Sequence, residues 1–178
     1  MRVTGGLYRG RRIDCPPGVI RPSMDRMRIS LFSILGDLSG LSFLDLFSGT
    51  GVIGVEAASR GAEPVVLVEM DARKRKTIQK NISFVESRIE LLTMPVERFL
   101  RSNSRTFDIV FLDPPFDFVD KGAVLDAVGE GSHLTGGGLA IIHLHRAEKL
   151  GLERPAFTLD DRREYGQSLV LFFRKRGV

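Results

Sequence analysis

Apolar and polar positions along the chain switch repeatedly between two periods. Short apolar runs at 43–46, 64–69, 88–92, 107–112 and 138–144 read as buried strands. Between them lie segments of helical spacing. A helix is predicted from Ser23, an N-cap with Asp25 in the first turn, and its apolar face carries Met27, Leu31, Ile34 and Leu35. Val52 to Ala58 is predicted as a second helix, closed by Arg60-Gly61, and Asp71 to Glu86 as a third. Residues 96–101 and 121–130 are two more, and 155–165 with 167–174 form a closing antiparallel pair hinged near Gly166. Residues 1–14 read as a hairpin around Gly5-Gly6, and Cys15-Pro16-Pro17-Gly18 as a rigid connector. Strands alternating with helices imply an α/β fold. Its sheet is mostly parallel, and ligands sit at the carboxyl ends of the strands.

Composition narrows the class. The 178 residues, 43% hydrophobic, suit one domain with a small extension. No apolar run has the length of a membrane span, and Met1-Arg2-Val3-Thr4 does not open a secretory leader. A single cysteine, Cys15, excludes a disulfide framework and suits the cytoplasm. His143 and His145 share a strand face among Ile141, Ile142 and Leu144, which reads as ordinary strand, so no metal site is expected. Charge is uneven. Residues 1–28 carry seven arginines against two aspartates, a net +5 in a chain of net +4. Arginine's planar fork suits phosphate, so the candidate nucleic-acid contacts are Arg9, Arg11, Arg12, Arg21, Arg26 and Arg28. Tyr8, among them, can stack on a base or pack on the domain. The run Arg73-Lys74-Arg75-Lys76 reads as a solvated helix face or a secondary RNA contact.

Two stretches carry chemistry. The first runs Phe43-Leu44-Asp45-Leu46-Phe47-Ser48-Gly49-Thr50-Gly51-Val52-Ile53-Gly54: strand, glycine turn, helix. That geometry brings backbone N–H groups and a helix N-terminus close to a ligand. The glycines fit a dinucleotide fingerprint literally. Asp45 points elsewhere, because a carboxylate repels a pyrophosphate and attracts the ammonium and sulfonium of S-adenosylmethionine. Glu69 ends the next strand, where a carboxylate binds ribose hydroxyls; Asp71 is a second candidate but reads better as a helix cap.

The second stretch is Asp113-Pro114-Pro115-Phe116, directly after the fourth strand. Methylating the exocyclic amine of a base is difficult because its lone pair is delocalised into the ring. Asp113 and the carbonyl of Pro114 can accept its two N–H bonds and favour a pyramidal nitrogen. Two prolines lock the carbonyl's direction, and Phe116 can stack on the base.

Asp113-Pro114-Pro115-Phe116 resembles the motif of class I amino methyltransferases. The order Gly5-Gly6-x-x-Arg9-Gly10-Arg11, Arg21-Pro22-Ser23-x-Asp25-Arg26-x-Arg28, Leu31-Phe32, residues 45–51 and Glu56-Ala57-x-Ser59-Arg60-Gly61-Ala62 narrows the likeness. It resembles the RsmD-type bacterial 16S rRNA guanine-N2 methyltransferases across nearly the whole chain. The resemblance implies a Rossmann-like class I methyltransferase fold with a seven-stranded sheet and helices on both faces. Residues 1–22 would form an RNA-binding extension and 23–178 the methyltransferase domain. Asp45, Phe47, Gly49, Gly51 and Glu69 would line the S-adenosylmethionine site, with 113–116 at the target amine. The partner implied is 16S rRNA, within a small ribosomal subunit or assembly intermediate, and the chain would be a monomer. Ser30 stands where the family usually has Glu, and Pro95 where an Asp or Asn usually contacts the cofactor's adenine. A DNA adenine-N6 methyltransferase shares both motifs but not the arginine block. An NAD-dependent oxidoreductase is disfavoured by Asp45, and a non-catalytic RNA-binding protein by the intact Asp-Pro-Pro-Phe.

Overall fold

The protein is described from a computed structural model, which defines residues 1–15 and 22–177. Arg21, most of the Pro-Pro-Gly connector and the side chain of Ser23 lie outside the described residues. Helix α1 spans Pro22–Leu35 and leads into β1, Phe43–Leu46. Then follow α2 (Val52–Ser59), β2 (Val65–Glu69), α3 (Arg75–Ile82), β3 (Ile89–Thr93) and α4 (Val96–Ser102). The chain ends with β4 (Phe107–Leu112), α5 (Lys121–Glu130), β5 (Leu134–His145), β6 (Phe157–Tyr165) and β7 (Ser168–Lys175).

The seven strands form one sheet in the order β3-β2-β1-β4-β5-β7-β6. β1 to β5 run parallel; β7 pairs antiparallel with both β5 and β6. Alternate strand residues feed two cores. Phe43, Leu67, Phe111, Ile141 and Phe172 face α1, α2 and α3. Leu44, Val68, Leu112, Ile142 and Phe173 face α4 and α5. Both faces are covered, so the central strands read as continuous apolar runs. The chain reverses direction across the sheet between β1 and β4, the switch point at which such folds open a crevice for ligands.

Three elements depart from the sequence reading. β5 starts at Leu134, not Gly138, because a register shift opposite Phe107–Ile109 absorbs the glycines. The third helix is shorter. A 3₁₀ turn, Ala72–Lys74, precedes α3, which stops at Ile82. The chain then leaves the helix to meet the N-terminal segment, where the backbone N–H of Glu86 donates to the Tyr8 hydroxyl at 2.8 Å. The N-terminal hairpin is real but wider than Gly5-Gly6. Arg2 and Arg12 pair, Val3 and Ile13 are bonded to Arg11 and Met1, and residues 5–10 make the turn.

That segment is welded to the domain. Val3, Tyr8 and Ile13 bury against Val55 of α2. Ser59, at the end of α2, receives the loop: its carbonyl accepts from Leu7 at 2.7 Å and its hydroxyl from Tyr8 at 2.9 Å. Gly6 sits at φ 74°, and a Cβ there would lie 1.8 Å from the Ser59 carbonyl oxygen, so only glycine allows this approach.

Candidate active site

The site forms where β1, β2 and β4 end. Asp45, near the end of β1, is buried, and its Oδ2 accepts from the Gly54 N–H at 3.1 Å. This bond ties the strand to the first turn of α2. Gly54 makes the tie possible, since a Cβ there would lie 2.2 Å from Leu67 Cδ2 on β2. The third glycine therefore serves helix–strand packing. Phe47, at φ 62°, occupies a left-handed conformation that a bulky residue adopts only under constraint, and its ring meets Phe118 edge-on at 5.1 Å.

Glu69 braces the turn from β2. Its Oε2 accepts from the Gly49 N–H at 2.8 Å and from Lys74 Nζ at 3.2 Å, and its Oε1 from the Asp71 N–H at 2.9 Å. A carboxylate has about four lone-pair positions, so one acceptor position on Oε1 remains for a hydroxyl. Asp71 itself accepts from the Arg73 N–H, the capping role expected of it. Hydrogen bonding from Arg73 lowers its carboxyl to about 2.

Three carboxylates thus converge. The Asp45 carboxyl is pushed well above the usual carboxylate range, first by burial and then by Asp113; the Gly54 bond opposes this and Glu69 adds to it. A pocket that penalises its own negative charge favours a cation and opposes a pyrophosphate. The Asp45 contact differs from the one expected: the carboxylate lies beneath the glycine turn rather than open to the crevice.

Asp113 follows β4 across the switch point. Its N–H donates to the Leu46 carbonyl at 3.3 Å, locking the loop start to β1. Its side chain is about 29% exposed, and Oδ1 accepts from His143 Nδ1 at 2.8 Å. Pro114 is buried; Pro115 and Phe116 are exposed. Phe116 meets His145 edge-on at 5.6 Å, and its carbonyl accepts from the buried Lys121 Nζ at 3.0 Å. Lys121 is held in turn by Glu148 at 2.5 Å. Sequence reasoning missed His143, Lys121 and Glu148. A histidine inside an apolar strand and a lysine opening a helix carry no periodic signal of their own.

The arginine block divides. Arg9, Arg11 and Arg12 are exposed, and residues 7–11 with Glu86 line an open hollow of about 500 Å³. Arg26 is exposed as well. Arg28 does not belong with them. It is 4% exposed, donates to Asp25 at 2.9 Å and the Arg2 carbonyl at 3.1 Å, and pairs with the buried Glu56 at 3.4 Å. Tyr8 is buried too, its ring edge-on to Phe84 at 5.5 Å, so of its two expected roles it takes packing.

The sequence profile of the family described as "Conserved hypothetical protein 95" matches residues 1–174. The chain belongs to that family. YlbH of Bacillus subtilis (strain 168), provisionally named an rRNA methyltransferase, is 29% identical over 184 residues, 99% of this chain and 100% of that protein. Ribosomal RNA small subunit methyltransferase D of Escherichia coli (strain K12) is 36% identical over 120 residues. That match covers 65% of this chain and 60% of the relative, less than two thirds of its length. The solved structure of yhhF from Escherichia coli, provisionally described as a methyltransferase, superposes with a TM-score of 0.88 at 26% identity, over 100% of this chain and 99% of that one. The resemblance read from the motifs and the expected α/β fold are both borne out.

Proposed function

We propose that the chain transfers a methyl group from S-adenosylmethionine to the N2 amine of a guanine in 16S rRNA. The reading is carried by one juxtaposition. Asp113, leading a Pro-Pro turn, stands across the switch point from a glycine turn underlain by Asp45 and Glu69. S-Adenosylmethionine, when bound, supplies an electrophilic methyl on a sulfonium. The chain fits it through the Asp45 carboxyl, the backbone of residues 47–51 and the remaining acceptor position of Glu69. The names of the relatives support an rRNA substrate, and the exposed arginines support a phosphate backbone.

The chain's own residues do the rest. The Asp113 carboxylate and the Pro114 carbonyl accept the two N–H bonds of the guanine amine, which favours a pyramidal nitrogen with its lone pair toward the methyl. The methyl exchanges its bond to sulfur for one to nitrogen, S-adenosylhomocysteine is the leaving product, and the proton lost from nitrogen is held at Asp113. Phe116, steadied by Lys121 through its carbonyl, stacks on the extruded base.

The test is methylation of small-subunit particles and of naked 16S rRNA from a strain lacking the gene, with nuclease digestion and mass spectrometry. The expected product is one N2-methylguanine per rRNA. N6-methyladenine formed in duplex DNA would replace this reading with the DNA one.

A further inference from the structure

We propose that His143 is a positioning residue that holds the Asp113 carboxylate in its working orientation. The inference rests on the reading of residues 113–116 as the target-amine site. Asp113 needs such a hold. It follows its strand on a partly exposed side chain and is repelled by Asp45, so it gains by rotating out toward water. Nothing in the Pro-Pro turn fixes a side-chain dihedral, because prolines constrain backbone only. His143 supplies the fix. It lies on β5, whose neighbouring residues Ile141 and Ile142 are in register with Phe111 and Leu112, so it stands beside Asp113, the next residue after β4. Its Nδ1 meets Oδ1 at 2.8 Å, leaving the other carboxylate oxygen for the amine.

The other ring nitrogen argues that this is not ordinary core packing. Nε2 is buried and has no hydrogen-bond partner among the described residues. Burying a polar atom unpaired is unfavourable, and the surroundings include Val170 opposite it in register and Ile141 on the same face. Leucine would suit that position better for stability. A histidine kept there at a cost to stability marks a task that leucine cannot perform. With Nδ1–H committed to Asp113, the required form is the one protonated on Nδ1.

Three variants and one spectrum test the assignment. His143→Leu removes the donor, His143→Asn returns an N–H near the position of Nδ1, and Asp113→Ala removes the acceptor. For His143→Leu the expected result is kcat lower by about tenfold to a hundredfold, with RNA KM, S-adenosylmethionine affinity and Tm unchanged or Tm raised. His143→Asn should recover kcat to within a few-fold of wild type. Wild-type kcat in His143→Leu would overturn the proposal, as would equal losses in the leucine and asparagine variants. Nitrogen-15 NMR of labelled histidine gives a readout free of activity. The expected spectrum has His143 protonated on Nδ1, with that resonance moved in Asp113→Ala. A bare Nδ1 would overturn the proposal even if the enzyme methylates RNA. A wild-type protein inert on every RNA, but with the Nδ1–H coupled to Asp113, would sink the amine-site reading and leave the pair itself standing.

Discussion

Glu56, fully buried in α2, accepts from both the backbone N–H and the hydroxyl of Thr4, at 2.8 and 3.0 Å, across 52 positions of sequence. Arg28 and Arg60 converge on the same carboxylate. One acid therefore joins the N-terminal segment, α1 and α2. Removing one partner of a buried ion pair leaves the other charge uncompensated, which costs about 3 kcal/mol or more. Glu56→Ala should lower Tm by roughly 5–10 °C. It should also expose the bonds after Arg9, Arg11 and Arg12 to trypsin while the sheet stays protected. Proteolysis that cuts the N-terminal segment and the sheet at the same rate would mean that Glu56 supports the whole fold and not this junction.

Asp45 sets stability against binding. Its folded-state carboxyl lies above the usual range, first because it is buried. The folded chain therefore holds more protons than the unfolded one above pH ~4, and stability falls as pH rises toward the raised value. Asp45→Asn keeps an oxygen for the Gly54 N–H and removes the buried charge. The ligand-free variant should melt higher at neutral pH and lose stability less steeply above pH 4. Its thermal shift with S-adenosylmethionine should shrink, since a cationic ligand loses an anionic neighbour. A lower Tm together with an unchanged shift would place Asp45 in packing alone.

Asp113→Ala should abolish turnover and leave S-adenosylmethionine binding within about twofold, because in the proposed mechanism the missing carboxylate acts on the amine and its loss appears in kcat. Calorimetry on the variant and a radiolabelled methyl-transfer assay separate the two. Near-normal kcat would remove Asp113 from the mechanism.

Much of this is legible in the sequence alone, and for a physical reason. A parallel strand buried on both faces leaves a continuous apolar run, so β1, β2 and β4 appeared with their ends nearly in place. A glycine turn and a Pro-Pro turn are backbone events, and only particular residues permit them. Side-chain partnerships across the sheet leave no such trace. His143 and Asp113 are 30 positions apart, and Lys121 and Glu148 are 27 apart. Their pairing exists only once β4 and β5 lie in register. Charge counting failed at Arg28 for the same reason. The sequence shows its charge, and the fold shows that Glu56 already neutralises it.

That distinction makes the arginines testable one class at a time. Arg9, Arg11 and Arg12 are exposed, whereas Arg28 is buried against Glu56 and Asp25. Each phosphate contact releases counterions and contributes roughly 0.7–0.9 to the slope of log affinity against log salt. Replacing the three exposed arginines together by alanine should flatten that slope by about two to three units, weaken RNA binding whatever the sequence, and leave both Tm and S-adenosylmethionine affinity unchanged. Lysine at the three positions should restore part of the affinity, since charge returns without the fork. Arg28→Ala should do the reverse. The Glu56 carboxylate would lose a partner, Tm should fall, and the salt slope of the fraction that stays folded should hold. Affinity measured at several salt concentrations, beside a melting curve, reads both at once. Parallel salt lines for wild type and the triple variant would show that RNA docks elsewhere on the molecule. A slope flattened by Arg28→Ala at constant Tm would return that residue to the RNA-binding surface.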